Sequence, residues 1–226
     1  MKDRSCIVLF VKCPEKGRVK TRLAAETGED NALGLYQCFV SDIIATLTEG
    51  RYPVRIAFHP PDGQDRIAPW LGDYPSSPQR GEDLGERMLN TFLRLFSEGF
   101  SSVLILGSDI PDLPGEVIEE AFDALTEHDT VIGPASDGGY YLIGFTRGSF
   151  IPDVFQGIPW STASVFDLTM AVFQQKGCRV HTLPEWRDVD TMDDLKALWE
   201  RRKDSGSGNS RTIAFMRDRR IFPEHR

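Results

Sequence analysis

The chain has 226 residues, 40% of them hydrophobic and 27% charged, which suits one soluble globular domain with a sizeable core. Its formal net charge is −8, so broad binding of nucleic acid through a basic surface is not expected. The four cysteines are scattered without metal-ligand spacing and favour a reduced, cytoplasmic setting. No apolar stretch reaches the roughly 20 residues that a membrane span needs, and the N-terminal apolar run lacks the form of a secretory signal.

Hydrophobic periodicity predicts strands that alternate with helices along most of the chain. In chain order these elements are a strand at residues 6–11, a helix at 28–49, a strand at 54–58, a helix at 84–98, a strand at 103–106, a helix at 114–125, strands at 130–132 and 140–145, a helix at 162–176, a strand at 179–183 and a helix from 191. The first strand is apolar throughout, as expected of a strand buried on both faces of a parallel sheet. The alternation predicts a three-layer α/β/α fold with a mostly parallel sheet, formed by one domain over residues 1–203.

Several segments carry recognisable boundary signals. Ser161 or Thr162 is expected to cap the helix that runs to residue 176, and Thr191, with Asp194 three positions later, is expected to open the last helix. The segment 59–81 is rich in Pro, Gly and Ser, which predicts an irregular functional loop. Residues 204–210 form a Ser/Gly linker, and the tail beyond it, up to residue 226, is either disordered or docked on the domain.

A basic loop follows the first strand directly. Pro14 and Gly17 prevent a regular element there, and open α/β sheets place their ligands beside loops of this kind. Cations and free backbone N–H groups at this position favour the binding of a polyphosphate over a merely solvated basic turn. The pattern matches neither a Walker A loop nor G-x-G-x-x-G. The cations are Lys12, Lys16, Arg18, Lys20 and Arg22.

Acidic residues follow two of the later predicted strands. Asp109 and Asp112 stand where the strand 103–106 ends, and carboxylates there can share a hard divalent cation with the phosphates of a nucleotide. Asp112 could equally belong to a turn bounded by prolines. Asp188 and Asp190 follow the strand 179–183. Asp190 is more simply interpreted as a helix cap, which leaves Asp188 as the better candidate for a second metal ligand.

Asp137 precedes two glycines and a tyrosine. Gly138 and Gly139 allow a ligand or another backbone segment to approach closely, and Tyr140 offers a flat face and a hydroxyl to a sugar or a base. An Asx turn would explain Asp137 equally well.

Two further side chains are candidates for substrate contacts. Arg87 lies in the first turn of a predicted helix, where it could reach a phosphate or form an ion pair near Glu86. Trp160 could be a platform for a sugar ring, although packing as a core residue or a hydrophobic staple is common for such a residue. The four histidines show no metal spacing, and the absence of G-x-S-x-G and C-x-x-C motifs gives no indication of covalent nucleophilic catalysis.

Six segments together resemble one bacterial family, the glycosyltransferase-A-type nucleotide-diphospho-sugar transferases. In order, they are KCPEKGRVKTRL, QRGEDLGERM, LILGSDIPDLP, GPASDGGYYLIGF, IPWSTASVF and DVDTMDDL, and they span residues 7–198. The resemblance implies a nucleotide-binding sheet, a basic loop near the phosphates and a metal-binding acid at Asp109. It also implies a fold shared with phospholactate and molybdenum-cofactor guanylyltransferases. The chain has Asp109-Ile110-Pro111-Asp112 in place of a strict D-x-D motif, which leaves the part of Asp112 open, and an acid of the DVDT segment is expected to bind a second metal.

The resemblance leads to a main hypothesis and two alternatives. The main one is a metal-dependent glycosyltransferase that uses a nucleoside diphosphate sugar, Mg²⁺ or Mn²⁺, and an unidentified small-molecule acceptor. The second is a nucleotidylyltransferase that joins a nucleoside triphosphate to a small phosphorylated acceptor with release of pyrophosphate, and the third is a nucleotide-binding module without catalysis. The expected catalytic residues are Asp109, Asp137 and Lys20, and the expected metal ligands are Asp109, Asp188 and Asp190. The residues expected to bind nucleotide or substrate are Lys12, Gly17, Arg18, Lys20, Thr21, Arg22, Arg87, Gly138, Gly139, Tyr140 and Trp160.

Overall fold

A computed structural model describes residues 4–203 and 210–222 of the chain. The strands are β1 (Ser5–Lys12), β2 (Val54–His59), β3 (Ser76–Pro78), β4 (Ser102–Leu106), β5 (Thr130–Pro134), β6 (Tyr140–Thr146) and β7 (Val180–Thr182). The helices are α1 (Thr21–Thr27), α2 (Glu29–Glu49), α3 (Gln64–Leu71), α4 (Leu84–Ser97), α5 (Gly115–Ala124), α6 (Val165–Gln175), α7 (Met192–Arg202) and α8 (Arg211–Asp218), with a short 3-10 helix at Pro152–Phe155.

The strands form one sheet in the order β3-β2-β1-β4-β6-β5-β7. All neighbouring pairs are parallel except those of β6, which runs antiparallel to β4 and β5. The predicted α/β fold with a mostly parallel sheet is therefore confirmed. Because of this topology, six strands end and β6 begins at the same edge of the sheet, called the carboxyl edge below. Loops that leave this edge form the ligand site in open α/β sheets.

Strand β1 lies between two hydrophobic layers. Ile7, Leu9 and Val11 point to the side of α2 and α5, whereas Cys6, Val8 and Phe10 point to the side of α4 and α6. Full burial of one such side chain stabilises the fold by about 1.5–3 kcal/mol, so this apolar strand contributes strongly to the stability of the core. The prediction of a strand buried on both faces is confirmed.

The segment 59–81 is more regular than predicted. It contains α3, and β3 pairs with β2 through Ile56 and Ser76. Hydrophobic periodicity does not predict helix α3, because this helix has only eight residues and contains Pro69. The seven-residue helix α1 was not predicted either. Both helices are stabilised by packing, through the buried Ile67 and Leu23, because helices of this length are marginal in isolation.

Of the two predicted helix N-caps, the one for α6 is wrong and the one for α7 is confirmed. The predicted cap at Ser161 or Thr162 is wrong, because α6 begins after Ser164 and the Thr162 hydroxyl donates to the carbonyl of Pro159 instead (2.8 Å). The capping box of Thr191 and Asp194 at the start of α7 is confirmed.

Helix α7 is not the last helix, because α8 follows it and packs on α2. The Asp42 carboxylate on α2 accepts hydrogen bonds from the Ser210 hydroxyl (2.8 Å) and from the backbone N–H groups of Arg211 (2.7 Å) and Thr212 (3.0 Å). A Cβ on Gly34 of α2 would lie 2.4 Å from the Phe215 ring, so glycine permits this close packing. The part of the predicted tail at 210–222 is thus docked on the body, whereas the linker residues 204–209 lie outside the described residues.

Candidate functional site

The centre of the carboxyl edge is an ion cluster around the buried side chain of Lys20. Lys20 is the N-cap of α1 and adopts the left-handed conformation (φ 47°, ψ 47°), with a side chain only 4% exposed. Its ammonium group contacts one carboxylate oxygen of Asp109, one of Asp190 (2.8 Å) and the carbonyl oxygen of Val189 (2.7 Å). The backbone N–H of Val189 also donates to the carbonyl of Asp109 (2.8 Å). The loops after β1, β4 and β7 therefore meet at one cation.

The charges of this cluster compensate one another. Burial by itself would lower the pKa of Lys20, but the carboxylates of Asp109 and Asp190 outweigh it and raise the pKa above its usual value. The Lys20 side chain is consequently a charged ammonium. Arg22 adds a second positive charge, because its Nη2 lies 2.9 Å from Oδ2 of Asp190. Asp190 is thus engaged by two cations and is not the helix cap that the sequence suggested.

The hydroxyl of Tyr36, on α2, contacts residues at the carboxyl ends of the neighbouring strands β1 and β4. Its hydroxyl accepts a hydrogen bond from the backbone N–H of Lys12 (2.7 Å) and donates to the carbonyl of Lys12 (3.1 Å). The Ser108 hydroxyl lies 3.5 Å away. Burial raises the pKa of Tyr36, so the hydroxyl keeps its proton. Helical periodicity in the sequence places Tyr36 on the apolar face of α2, and the signal for a further role is that a buried tyrosine normally needs a partner for its hydroxyl.

Two adjoining hollows open beside this cluster. A hollow of about 180 Å³ is lined by Lys12, Val19, Lys20, Thr21, Arg22, Tyr36, Ser108, Asp109 and Asp190. A larger one of about 640 Å³ is lined by Arg22, Ser136, Asp137, Glu185, Trp186, Arg187, Asp188, Asp190, Asp194 and Arg201. Arg22 and Asp190 belong to both, so the two hollows form one continuous candidate site, called below the small hollow and the large hollow.

Asp137 and Asp188 face the large hollow from two loops. The Asp137 carboxylate accepts a hydrogen bond from the N–H of Gly139 (2.9 Å), which confirms the Asx turn. Gly138 has a φ of +88°, and a Cβ there would lie 2.1 Å from the carbonyl oxygen of Ala163. Burial and the negative charge of Asp137 raise the pKa of Asp188 to about 6. The glycine allows the close approach that places Asp137 beside the hollow.

The cations of the basic loop do not all converge. Lys12, Lys20 and Arg22 line the small hollow. Lys16 instead forms an ion pair with Asp30 (2.7 Å), and Arg18 forms one with Glu15 (3.3 Å), both with largely exposed side chains. The structure therefore does not bring Arg18 to the hollows, and Gly17 contributes a left-handed turn (φ 76°) whose Cα faces Glu29.

A second group of nitrogen donors lies on the α4 side of the carboxyl edge. Lys12 and His59 are register partners in β1 and β2. Burial, and then the positive charges of Arg87 and Lys12, lower the pKa of His59. Arg87 donates to the carbonyls of Gly81 (3.1 Å) and Glu82 (3.2 Å), and it forms no ion pair with any acid of the described residues. The parallel register of β1 and β2 brings His59 beside Lys12, a proximity that residue spacing in the sequence does not reveal.

Tyr140 and Trp160 pack against α4. Their rings meet edge to face with centroids 6.4 Å apart, and the Tyr140 hydroxyl points to the sulfur of Met88 (3.8 Å). A Cβ on Gly85 would lie 2.5 Å from the Trp160 ring, which shows how tightly the indole is seated. The Trp160 indole is therefore packed against Tyr140 and α4, and its contact with a sugar stays a prediction.

The predicted metal ligands are only partly brought together. Oxygens of Asp109, Asp190 and Val189 surround one point, and hard oxygen donors suit Mg²⁺ or Mn²⁺, but the Lys20 ammonium occupies that point. Asp188 lines only the large hollow. Among residues 4–203 and 210–222, no three acidic, histidine or cysteine side chains are arranged to hold a metal.

Asp112, whose role the sequence left open, is a structural residue. It is buried and accepts hydrogen bonds from the Trp186 indole (3.1 Å) and from Arg201 (3.1 Å). These contacts use both of its carboxylate oxygens and fix the loop after β7 against the loop after β4.

The fold is that of a nucleotide-diphospho-sugar transferase-like protein. The family model for an uncharacterized protein conserved in bacteria (DUF2064) matches residues 43–162. A protein from Desulfovibrio desulfuricans G20, provisionally named a nucleotide-diphospho-sugar transferase, is 42% identical, with a TM-score of 0.93 over 97% of this chain and 96% of that chain. The chain belongs to this bacterial family, which places it among transferases.

More distant solved structures share the fold. One is a CMP:2-keto-3-deoxy-manno-octonic acid synthetase complexed with CTP, with 12% identity and a TM-score of 0.55 over 88% of this chain and 99% of that chain. Another is Rv0371C of Mycobacterium tuberculosis H37Rv in complex with manganese, with 15% identity and a TM-score of 0.52 over 87% of this chain and 98% of that chain. No curated protein sequence matches the chain significantly. No helix of the described residues is long and apolar enough to cross a membrane.

Proposed function

We propose that the protein transfers a glycosyl group from a nucleoside diphosphate sugar to a small acceptor. The observation that carries this proposal is the Lys20 cluster, which gathers Asp109 and Asp190 beside the small hollow at the carboxyl edge. The diphosphate occupies the small hollow, where Lys12, Lys20 and Arg22 supply positive charge. The 42% identical relative, provisionally named for this chemistry, supports the assignment.

In this proposal, residues of the small hollow bind the diphosphate and the metal, and a residue of the large hollow acts on the acceptor. Asp109 and Asp190 are the groups that would hold Mg²⁺ or Mn²⁺, and such an ion would supply positive charge to the departing diphosphate. Lys12, Arg22 and the start of α1 at Thr21 orient the phosphates. Asp137, on the large hollow, positions the acceptor hydroxyl or accepts its proton. Rate acceleration comes from positioning and charge stabilisation, without an enzyme nucleophile.

The second candidate, transfer of a nucleotidyl group from a nucleoside triphosphate, is favoured by the cationic lining of the site and by the fold that the CTP-bound synthetase shares. Two observations weigh against it. Lys16 and Arg18 are turned away from the hollows, and Arg22 is already paired with Asp190. A triphosphate needs more neutralisation than a diphosphate ester, so the reduced free positive charge favours the diphosphate donor.

Product analysis separates the candidates. The protein is incubated with a panel of nucleotide sugars and nucleoside triphosphates, each with Mn²⁺ and with a mixture of small hydroxylated and phosphorylated acceptors, and thermal shift identifies the nucleotides that bind. Release of a nucleoside diphosphate supports glycosyl transfer, whereas release of pyrophosphate supports nucleotidyl transfer. Binding without either product leaves a nucleotide-binding module and refutes both catalytic readings.

The variant test uses two aspartates of different location. Asp109→Asn is expected to lower turnover at least 100-fold, because it removes a charge that touches the reacting phosphate region. Asp30→Asn is the matched control, because Asp30 is exposed and, among the described residues, forms an ion pair only with Lys16. Equal activity of the two variants would contradict the role of Asp109.

A further inference from the structure

We infer that Lys20 and a divalent cation are alternative occupants of the same oxygen-lined position, so that the metal enters only when the Lys20 ammonium leaves. The inference rests on the proposed function, which requires a phosphate-bearing donor and a metal at this site. It adds an order to their binding: phosphate draws Lys20 out of the cluster, and the vacated oxygens then bind the metal.

The hydrogen-bond count of Lys20 requires this exchange. An ammonium group has three N–H donors and no acceptor. In the structure all three are used, by Asp109, Asp190 and the carbonyl of Val189. The Lys20 side chain consequently has no donor left for a phosphate, and it can bind one only by releasing at least one of these oxygens.

Distance excludes joint occupancy. Mg²⁺ binds oxygen at about 2.0–2.1 Å, while the Lys20 nitrogen lies 2.8 Å from the Asp190 oxygen and 2.7 Å from the Val189 oxygen. A metal on the same oxygens would stand within a few ångströms of the ammonium, and the Lys20 side chain itself is only 4% exposed. Two like charges at that separation repel strongly.

The surroundings give Lys20 a place to go. Lys20 lines the small hollow together with Lys12 and Arg22, and its flexible four-carbon stem can swing the ammonium toward a bound phosphate. Once Lys20 has moved, Asp109 and Asp190 carry two negative charges against the single charge of Arg22. The cluster then attracts a cation.

Metal binding in the absence of nucleotide tests the inference. Mn²⁺ is titrated into the wild type, Lys20→Met and Lys16→Met, with free Mn²⁺ followed by electron paramagnetic resonance. Lys16→Met is the matched control, because it removes one positive charge from the same loop but from a side chain paired with Asp30. We expect Lys20→Met to bind Mn²⁺ at least tenfold more tightly than the wild type and Lys16→Met to equal the wild type. Wild-type affinity equal to that of Lys20→Met overturns the inference.

A second measurement uses only the wild-type protein, so it tests the inference even if the Lys20→Met variant does not fold. Acetylation of each lysine is followed by mass spectrometry with and without saturating Mn²⁺. We expect the modification of Lys20 to accelerate about tenfold, because saturating metal occupies the vacated oxygens and keeps the ammonium from returning to them, while that of Lys16 stays constant. An unchanged Lys20 rate overturns the inference even if nucleotides bind, whereas a failure of all nucleotides to bind in the thermal-shift panel refutes the proposed function instead.

Discussion

Removal of the Tyr36 hydroxyl is expected to loosen the carboxyl edge without disturbing the core. In Tyr36→Phe the ring stays in place, since it is almost completely buried, but the backbone N–H of Lys12 loses its acceptor at 2.7 Å and the carbonyl of Lys12 loses its donor at 3.1 Å. A buried donor left without a partner costs about 1–3 kcal/mol. We therefore expect the free energy of unfolding to fall by about 2 kcal/mol.

Urea denaturation followed by tryptophan fluorescence measures this loss. For a domain of this size, about 2 kcal/mol corresponds to a fall of roughly 4–8 °C in the midpoint of thermal unfolding. Tyr52→Phe is the control, because Tyr52 stacks on Phe122 at a distance from the site. It is expected to change the free energy of unfolding by less than about 0.5 kcal/mol.

The same variant tests whether the hydroxyl positions the site. Lys12 and Ser108 both line the small hollow and both lie within reach of the Tyr36 hydroxyl. Tyr36→Phe is expected to weaken donor binding and raise KM more than it lowers kcat, whereas a purely structural loss would leave both constants of the folded fraction unchanged. A destabilisation no larger than that of Tyr52→Phe would refute the reasoning.

Two further predictions concern the large hollow. The pKa of Asp188 is raised to about 6 from 3.8, so the stability contributed by its protonated form is complete below about pH 4 and is lost as the pH rises through 6. Asp188→Asn should therefore be more stable than the wild type at pH 7.5 and no more stable at pH 3.5, as measured by urea unfolding in the presence of a chelator. The expected gain at pH 7.5 is about 1 kcal/mol, because the full effect of about 3 kcal/mol is reduced by the partial exposure of the side chain. A gain that does not depend on pH would contradict this cause. Gly138→Ala should destabilise the protein by about 1–3 kcal/mol, because alanine disfavours the left-handed backbone and its Cβ would meet the Ala163 carbonyl. An unchanged midpoint of thermal unfolding would show instead that the loop rearranges without cost.

Patterns of local sequence were enough to predict the framework of the site. The apolar run of β1, the basic residues directly after it and the acids after β4 and β7 are all visible in the sequence, because burial, turn chemistry and strand ends leave a mark within a few residues. The capping box of Thr191 and Asp194 was readable for the same reason. These features predicted the fold, which is confirmed, and the edge of the sheet at which the candidate site lies.

The direction of each charged side chain was decided by tertiary structure. Lys16 and Lys20 are four residues apart in one basic loop, yet Lys16 reaches the exposed Asp30 while Lys20 turns inward to Asp190, 170 positions away in the chain. Asp109 and Asp112 both follow within six residues of the end of β4, but Asp112 accepts hydrogen bonds from Trp186 and Arg201 and so has a structural role. Pairings across more than 70 residues depend on how strands and helices pack, so local patterns do not contain them; they decide which charges remain for chemistry.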